Sequence, residues 1–117
     1  MSIERVNPNI QSAHFDESRA FYTDFIDCDL AMDMGWIMTY ASPSNPKAQI
    51  TLLADAGPET PHPQISMEVT DAAEVHARAV AQELEIVYPL TDGPWGVRRF
   101  FVVDPNGVVI NVMSHLS

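Results

Sequence analysis

The stretch FVVDPNGVVINVM, residues 101–113, decides how the end of the chain folds. Its turn DPNG, at 104–107, has proline second and glycine fourth, the order that a type I turn prefers, between two valine-rich runs. The stretch therefore predicts a β-hairpin. Because side chains alternate across a strand, Asn111 shares one face of the returning strand with Val109 and Met113. A polar residue there either completes the core with a hydrogen-bonding partner or lines a pocket.

Composition narrows the class of protein. The chain has 117 residues, the length of one domain, with 16 acidic and 6 basic side chains and a formal net charge of −10. Such a charge repels phosphates, so neither a nucleic acid nor an anionic membrane is expected as a partner. The single cysteine, Cys28, excludes an internal disulfide. The sequence has no apolar signal segment and no membrane-spanning run, so we expect a cytoplasmic protein.

The pattern of predicted elements occurs twice along the chain. Each half has one strand, one helix and three further strands, and AQITL at 48–52 aligns with VVINV at 108–112, so that Thr51 corresponds to Asn111. The predicted strands lie near 6–12, 28–33, 36–41, 48–54, 64–70, 86–91, 97–103 and 108–113, and the first helix lies in FDESRAFYTDFID at 15–27. In the second helix Asp71 is expected to cap the first turn, and Ala73, Ala77, Val80 and Leu84 to form the buried face.

These elements predict an α+β fold of two tandem βαβββ modules within a single domain of residues 1–117. Module one covers about 1–57, a linker about 56–63, and module two about 64–117. A helix covers only one face of each short sheet. We therefore expect curled mixed sheets around a concave pocket, which is the natural place for a ligand.

The two modules resemble a known family in particular motifs. The segment SRAFYTDFIDCDL at 18–30 and the closing motif WG…DPNG, beginning at Trp95, are similar to those of the vicinal oxygen chelate superfamily. That superfamily includes glyoxalase I, extradiol dioxygenases, fosfomycin-resistance enzymes and binding proteins of the bleomycin-resistance type. The resemblance implies the glyoxalase/bleomycin-resistance fold and a homodimer whose pockets form between modules.

The resemblance also implies where a divalent metal would be held. Enzymes of the family bind it through His, Glu or Gln on the first and last strands of each module, and these positions correspond here to Asn7, Thr51, Gln64 and Asn111. Neutral amides and a hydroxyl are weak ligands for such an ion. We therefore expect no metal and no cofactor, and four polar side chains that contact a ligand instead.

Other candidates have two interpretations each. Glu68 shares a strand face with Gln64. It is either an inward carboxylate able to act as a base, or an outward charge on the other sheet face or in a salt bridge of the dimer. Five large side chains either line a ligand wall or pack in the core: Trp36, Met38, Trp95, Phe101 and Met113. Trp95 is expected at the mouth of the pocket. The four histidines, His14, His62, His76 and His115, are expected to be structural.

Three functions remain open. The first is a metal-free binding protein, without catalytic residues, that sequesters a planar aromatic antibiotic or natural product, neutral or cationic. The second is an enzyme, either a metal-dependent lyase or dioxygenase with a displaced site or a metal-free isomerase that uses Glu68. The third is a structural dimer whose pocket is filled by core side chains.

Overall fold

The computed structural model of the chain describes residues 2–54, 62–93 and 96–116. The chain divides into two compact units, one of residues 7–62 and one of residues 1–6 with 63–117. The elements, in chain order, are β1 (Ile3–Gln11), α1 (Phe15–Arg19), a π-helical turn (Ala20–Phe25), β2 (Asp29–Asp33), β3 (Ile37–Ser42), β4 (Asn45–Leu53), β5 (Ile65–Val69), α2 (Ala72–Ala81), β6 (Ile86–Asp92), β7 (Val97–Val103) and β8 (Val109–His115). The predicted α+β fold of two βαβββ modules is confirmed.

The first sheet is mixed and has the strand order β2-β3-β4-β1. β1 runs parallel to β4, while β3 is antiparallel to both β2 and β4. One face packs against the helical segment, where Tyr40 and Leu52 are buried and Tyr22 stacks on Tyr40 with 5.2 Å between ring centroids. The other face of this sheet, turned away from its helix, is called here the distal face.

The first helix differs from the single helix expected over 15–27. It is α-helical only to Arg19 and continues as a π-helical turn. The Thr23 hydroxyl donates to the Arg19 carbonyl at 2.7 Å, and this competition for a helical acceptor is consistent with the widened turn. Phe21 and Phe25 lie side by side with 5.2 Å between centroids, and both are exposed.

The second sheet repeats the arrangement with the order β5-β8-β7-β6. β5 runs parallel to β8, and β7 is antiparallel to both β8 and β6. α2 covers one face, where Phe100, Ile110 and Val112 are buried. Ser114 lies on the same face, because its Oγ accepts from the main-chain N–H of Ala72 at 3.0 Å. Asn111, between Ile110 and Val112, consequently lies on the distal face of this sheet.

The start of α2 is as expected, but its predicted buried face is wrong. Asp71 accepts from the main-chain N–H groups of Ala73 at 3.0 Å and Glu74 at 3.3 Å, which confirms the N-cap. Val80 is 56% exposed and Leu84, beyond the end of the helix, is 46% exposed. The residues of α2 that pack against the sheet are Ala72, Val75 and Ala79. The large Phe100 ring fills the space between α2 and the sheet, so small side chains on this face of α2 allow the helix to approach the sheet.

The predicted hairpin at the end of the chain is confirmed. The main-chain N–H of Gly107, with a positive φ of 80°, donates to the Asp104 carbonyl at 3.1 Å. The Asp104 carboxylate accepts from the main-chain N–H groups of Val108 at 2.9 Å and Asn106 at 2.8 Å. These hydrogen bonds hold the pKa of Asp104 below its ordinary value of 3.8, and the bond from Val108 has the largest effect.

Within the described part of the chain, no helix has the length and apolar character that crossing a membrane requires. Residues 2–6 group with the second half of the chain. Within this unit, the Thr70 N–H donates to the Ser2 carbonyl at 3.2 Å, and Arg5 pairs with Glu68.

Candidate functional site

The distal face of the first sheet carries a chain of three hydrogen-bonded polar side chains. Thr39 and Thr51 are neighbours across β3 and β4, and their hydroxyls lie 3.0 Å apart. The Asn7 amide contacts the Thr51 hydroxyl at 2.9 Å. In the amide orientation that satisfies both of its ends, Asn7 Oδ1 accepts from Thr51 and Nδ2 donates to the Gln49 main-chain carbonyl at 3.1 Å. All three residues are buried, and each has a hydrogen-bonding partner among the other two or in the Gln49 main chain.

The distal face of the second sheet carries a row of four side chains, one from each strand. Ser66 lies beside Asn111, Asn111 beside Phe101, and Phe101 beside Tyr88. Asn111 Nδ2 donates to Ser66 Oγ at 3.1 Å, and the rings of Phe101 and Tyr88 stack with centroids 4.7 Å apart. The row thus places an amide directly beside an aromatic pair.

The Asn111 amide is satisfied at one end only. Asn111 is 7% exposed, and no described residue donates a hydrogen bond to its Oδ1. Leaving a buried acceptor without a partner costs about 1 to 3 kcal/mol, so proteins rarely keep one without a reason. This oxygen distinguishes the second sheet from the first, where the corresponding residue, Thr51, is fully matched.

Charged side chains flank the row. The guanidinium of Arg99 lies 5.6 Å from the centroid of the Tyr88 ring and 5.8 Å from that of Phe101, within the range of a cation–π contact. Glu68, whose side chain is 18% exposed, lies 3.3 Å from Arg5 Nε and 3.5 Å from His115 Nε2. Because Glu68 and Ser66 are two residues apart on β5, the carboxylate lies on the distal face, where its partners belong to the same chain.

Gln64 lies away from the place expected for it. It precedes β5, is exposed, and its Oε1 accepts from the main-chain N–H of Val109 at 3.2 Å. Ser66 stands beside Asn111 instead. Strand alternation makes both residues candidates for this face, and only the register of β5 against β8 selects Ser66. Reasoning from the sequence also missed Thr39, Tyr88 and Arg99, which cross-strand pairing brings to the two distal faces.

The large side chains that were expected to line a ligand wall lie in different environments. Met38 is buried in the core with Tyr40 and Leu52, on the face opposite Thr39, because adjacent residues of β3 point to opposite sides. Phe101 is fully buried, and Met113 lies half-buried between Glu68 and Arg99 on neighbouring strands. Trp36 is half-buried just before β3. Trp95 lies outside the described residues.

Each of the four histidines contacts another residue of the chain. His14 Nδ1 lies 3.1 Å from Glu17 Oε2 at the start of α1, and the His76 ring meets Phe100 edge-on with 5.0 Å between centroids. His62 Nε2 lies 3.3 Å from the main-chain oxygen of Asn9. His115 is exposed beside Glu68. None of these four contacts involves Asn7, Thr51 or Asn111.

The residues at the positions implied for metal ligands do not fit a divalent ion. Asn7, Thr51, Gln64 and Asn111 are neutral, and so is Ser66, which stands beside Asn111. The Asn7 amide already bonds to Thr51, and the Asn111 amide already bonds to Ser66. Transition-metal sites rely on imidazole, thiolate or carboxylate ligands. In the described ranges, no three His, Cys, Asp or Glu side chains are grouped so that they could hold an ion.

Comparison with known proteins identifies the family. A model of the Glyoxalase/Bleomycin resistance protein/Dioxygenase superfamily matches residues 3–112. A search of curated proteins found no match. Similar solved structures include a hypothetical protein from Bacillus halodurans (15% identity, 100% of this chain and 97% of the other, TM-score 0.76), a superfamily member from Vibrio splendidus (15%, 97% and 99%, 0.73), and methylmalonyl-CoA epimerase from Mycobacterium tuberculosis (19%, 98% and 88%, 0.69).

At these identities the structural likeness shows the fold, and the family model covers almost the whole chain. The resemblance to the vicinal oxygen chelate proteins is thereby confirmed. This chain belongs to the Glyoxalase/Bleomycin resistance protein/Dioxygenase superfamily.

Proposed function

We propose that the protein is a metal-free binder of a planar aromatic small molecule, an antibiotic or related natural product that it sequesters in the manner of the bleomycin-resistance proteins. The observation that carries the proposal is the chemistry at the implied metal positions. Neutral amides and a hydroxyl stand there: Asn7 and Thr51 bond to each other, and Asn111 bonds to the neighbouring Ser66. Such groups both donate and accept hydrogen bonds, which suits recognition of an uncharged polar ligand better than retention of an ion.

The second distal face supports the aromatic part of the proposal. Tyr88 and Arg99, which are both half-buried, adjoin the buried Phe101 ring, and that ring lies beside the Asn111 amide. Planar rings stack on aromatic and guanidinium planes, while an amide fixes their orientation. The net charge of −10 favours a ligand that is neutral or cationic.

Fluorescence titration tests this function. Protein treated with EDTA is titrated with bleomycin and with mitomycin, and quenching of Trp36 and Trp95, the only tryptophans, is followed. We expect saturable quenching with the same dissociation constant before and after EDTA treatment. Trp95→Ala should weaken binding by about 1 to 3 kcal/mol, the scale of a lost aromatic contact. The absence of binding, or binding that requires added metal, would contradict the proposal.

A second candidate is a metal-free isomerase in which Glu68 moves a proton. The observation in its favour is that the Glu68 carboxylate lies on the distal face between Arg5 and His115. Exchange of the α-proton of an acyl thioester in D2O, followed by NMR, tests it. This candidate requires exchange that Glu68→Gln abolishes and that Glu74→Gln, at an exposed position on α2, leaves unchanged. The binding function requires no exchange at all.

We also propose that the protein is a homodimer. Phe25 is 73% exposed and adjoins the exposed Phe21 and Ile26, a grouping of apolar side chains that another surface commonly covers. Sedimentation velocity should show a dimer that Phe25→Ser weakens, whereas Val80→Ser, at an exposed apolar position on α2, should not weaken it. A wild-type monomer at micromolar concentration would contradict this proposal.

A further inference from the structure

The Asn111 amide contacts the neighbouring strand through one of its two ends. Its Nδ2 donates to Ser66 Oγ at 3.1 Å, which directs Oδ1 away from Ser66. No described residue donates to that oxygen, and Asn111 is more than nine-tenths buried. The free energy cost of an unmatched buried acceptor is recovered when a hydrogen-bond donor arrives from outside the chain.

The neighbouring carboxylate of Glu68 is a poorer acceptor for a ligand's hydrogen-bond donor. Glu68 already faces Arg5 at 3.3 Å and His115 at 3.5 Å, so its charge is balanced within the chain. Asn111 Oδ1 is therefore the acceptor on the second distal face that lacks a donor from the described residues. Beside it, Phe101 and Tyr88 continue the row as stacked rings.

We infer that the ligand carries an N–H donor on its planar ring system, as in a lactam, a ring amide or an aromatic amine, and that this group donates to Asn111 Oδ1. The inference rests on the proposed function and narrows its ligand class. A ring that presents only acceptors to the amide would bring two oxygen lone pairs together. Such a ligand would be rejected, because a site built to pair with an N–H group is left unsatisfied by an analogue that lacks it.

Carbostyril and coumarin form a matched pair of probes. Both are neutral fused rings of the same shape with a ring carbonyl, and the lactam N–H of carbostyril is replaced in coumarin by an ester oxygen. We expect the wild-type protein to bind carbostyril about tenfold more tightly than coumarin by calorimetry, the effect of one hydrogen bond to a buried acceptor. In Asn111→Leu the preference should disappear.

The comparison of two ligands on the wild-type protein does not depend on the folding of any variant. Equal affinities, or tighter binding of coumarin, would overturn the inference while leaving the proposed function intact. A preference for carbostyril that persists in a folded Asn111→Leu variant would also overturn it. Binding of neither compound would overturn the inference, while the proposed function would be decided separately by the titrations with bleomycin and mitomycin.

Discussion

Asn111 Nδ2 donates to Ser66 Oγ at 3.1 Å across β8 and β5, while Oδ1 of the same amide is buried and receives no hydrogen bond from a described residue. In the first module the Asn7 amide is satisfied at both ends by Thr51 and the Gln49 carbonyl. The two modules thus have the same strand pattern but different polar chemistry on their distal faces. The Asn7 amide stabilises the fold, whereas the Asn111 amide keeps an oxygen that receives no hydrogen bond from a described residue.

Replacing each asparagine by leucine should separate these two roles. Asn7→Leu removes both the acceptor for Thr51 and the donor to Gln49, so the free energy of unfolding should fall by about 1 to 3 kcal/mol. Asn111→Leu removes an acceptor that lacks a donor, but it also removes the hydrogen bond from Nδ2 to Ser66 Oγ. These two effects oppose each other, so the free energy of unfolding should change by less than about 1 kcal/mol. Urea unfolding followed by circular dichroism measures both. A greater loss in Asn111→Leu than in Asn7→Leu would show that Asn111 is a core residue.

The hydrogen-bonded side chains of Asn7, Thr39 and Thr51 on the first distal face should contribute to the free energy of unfolding in a coupled way. Thr51 bonds to both Thr39 and Asn7, so Thr51→Val should cost about 1 to 3 kcal/mol in unfolding free energy and more than Thr39→Val. Once Thr51 is replaced, the Thr39 hydroxyl has already lost this contact. The double variant should therefore lose less than the sum of the single losses, by at least about 0.5 kcal/mol. Strict additivity would contradict the hydrogen-bonded chain.

The turn before β8 should make stability depend on pH in a defined window. The folded-state pKa of Asp104 lies below its ordinary value of 3.8, so the carboxylate's contribution is complete above that value and is lost as the pH falls through the lower folded pKa. We expect Asp104→Asn to have a lower urea midpoint than the wild type near neutral pH. The difference should shrink as the pH falls below about 3.8. A difference that is the same at every pH would exclude this role for the carboxylate.

Local patterns in the sequence predict much of the fold. The turn residues at 104–107 and the alternation around Asn111 are sufficient for the hairpin and for the separation of Ile110 and Val112 from Asn111. Asp71 likewise marks the start of α2. These features depend on a few neighbouring residues, and no distant contact overrides them.

Features that depend on partner elements could not be predicted in the same way. The buried face of α2 is selected by the Phe100 ring beneath it, and the choice of Ser66 over Gln64 depends on the register of two strands distant in sequence. Met38 faces the core because Thr39 pairs with Thr51 on the other side. Met38 was predicted to line a ligand wall from its residue type alone, but cross-strand pairing decides which face of the sheet each residue occupies.

Whether the positions implied for metal ligands, Asn7, Thr51, Gln64 and Asn111, or the neighbouring Ser66, bind an ion is measured most directly by thermal unfolding of EDTA-treated protein with Zn²⁺, Ni²⁺, Mn²⁺ or Fe²⁺ added in turn. An ion that binds the native state must raise the melting temperature. We expect no rise with any of the four ions, because these neutral side chains are weak metal ligands, and because Asn7 already bonds to Thr51 and Asn111 to Ser66. A rise with one of the ions that disappears in Asn7→Leu or Ser66→Ala would contradict a metal-free site.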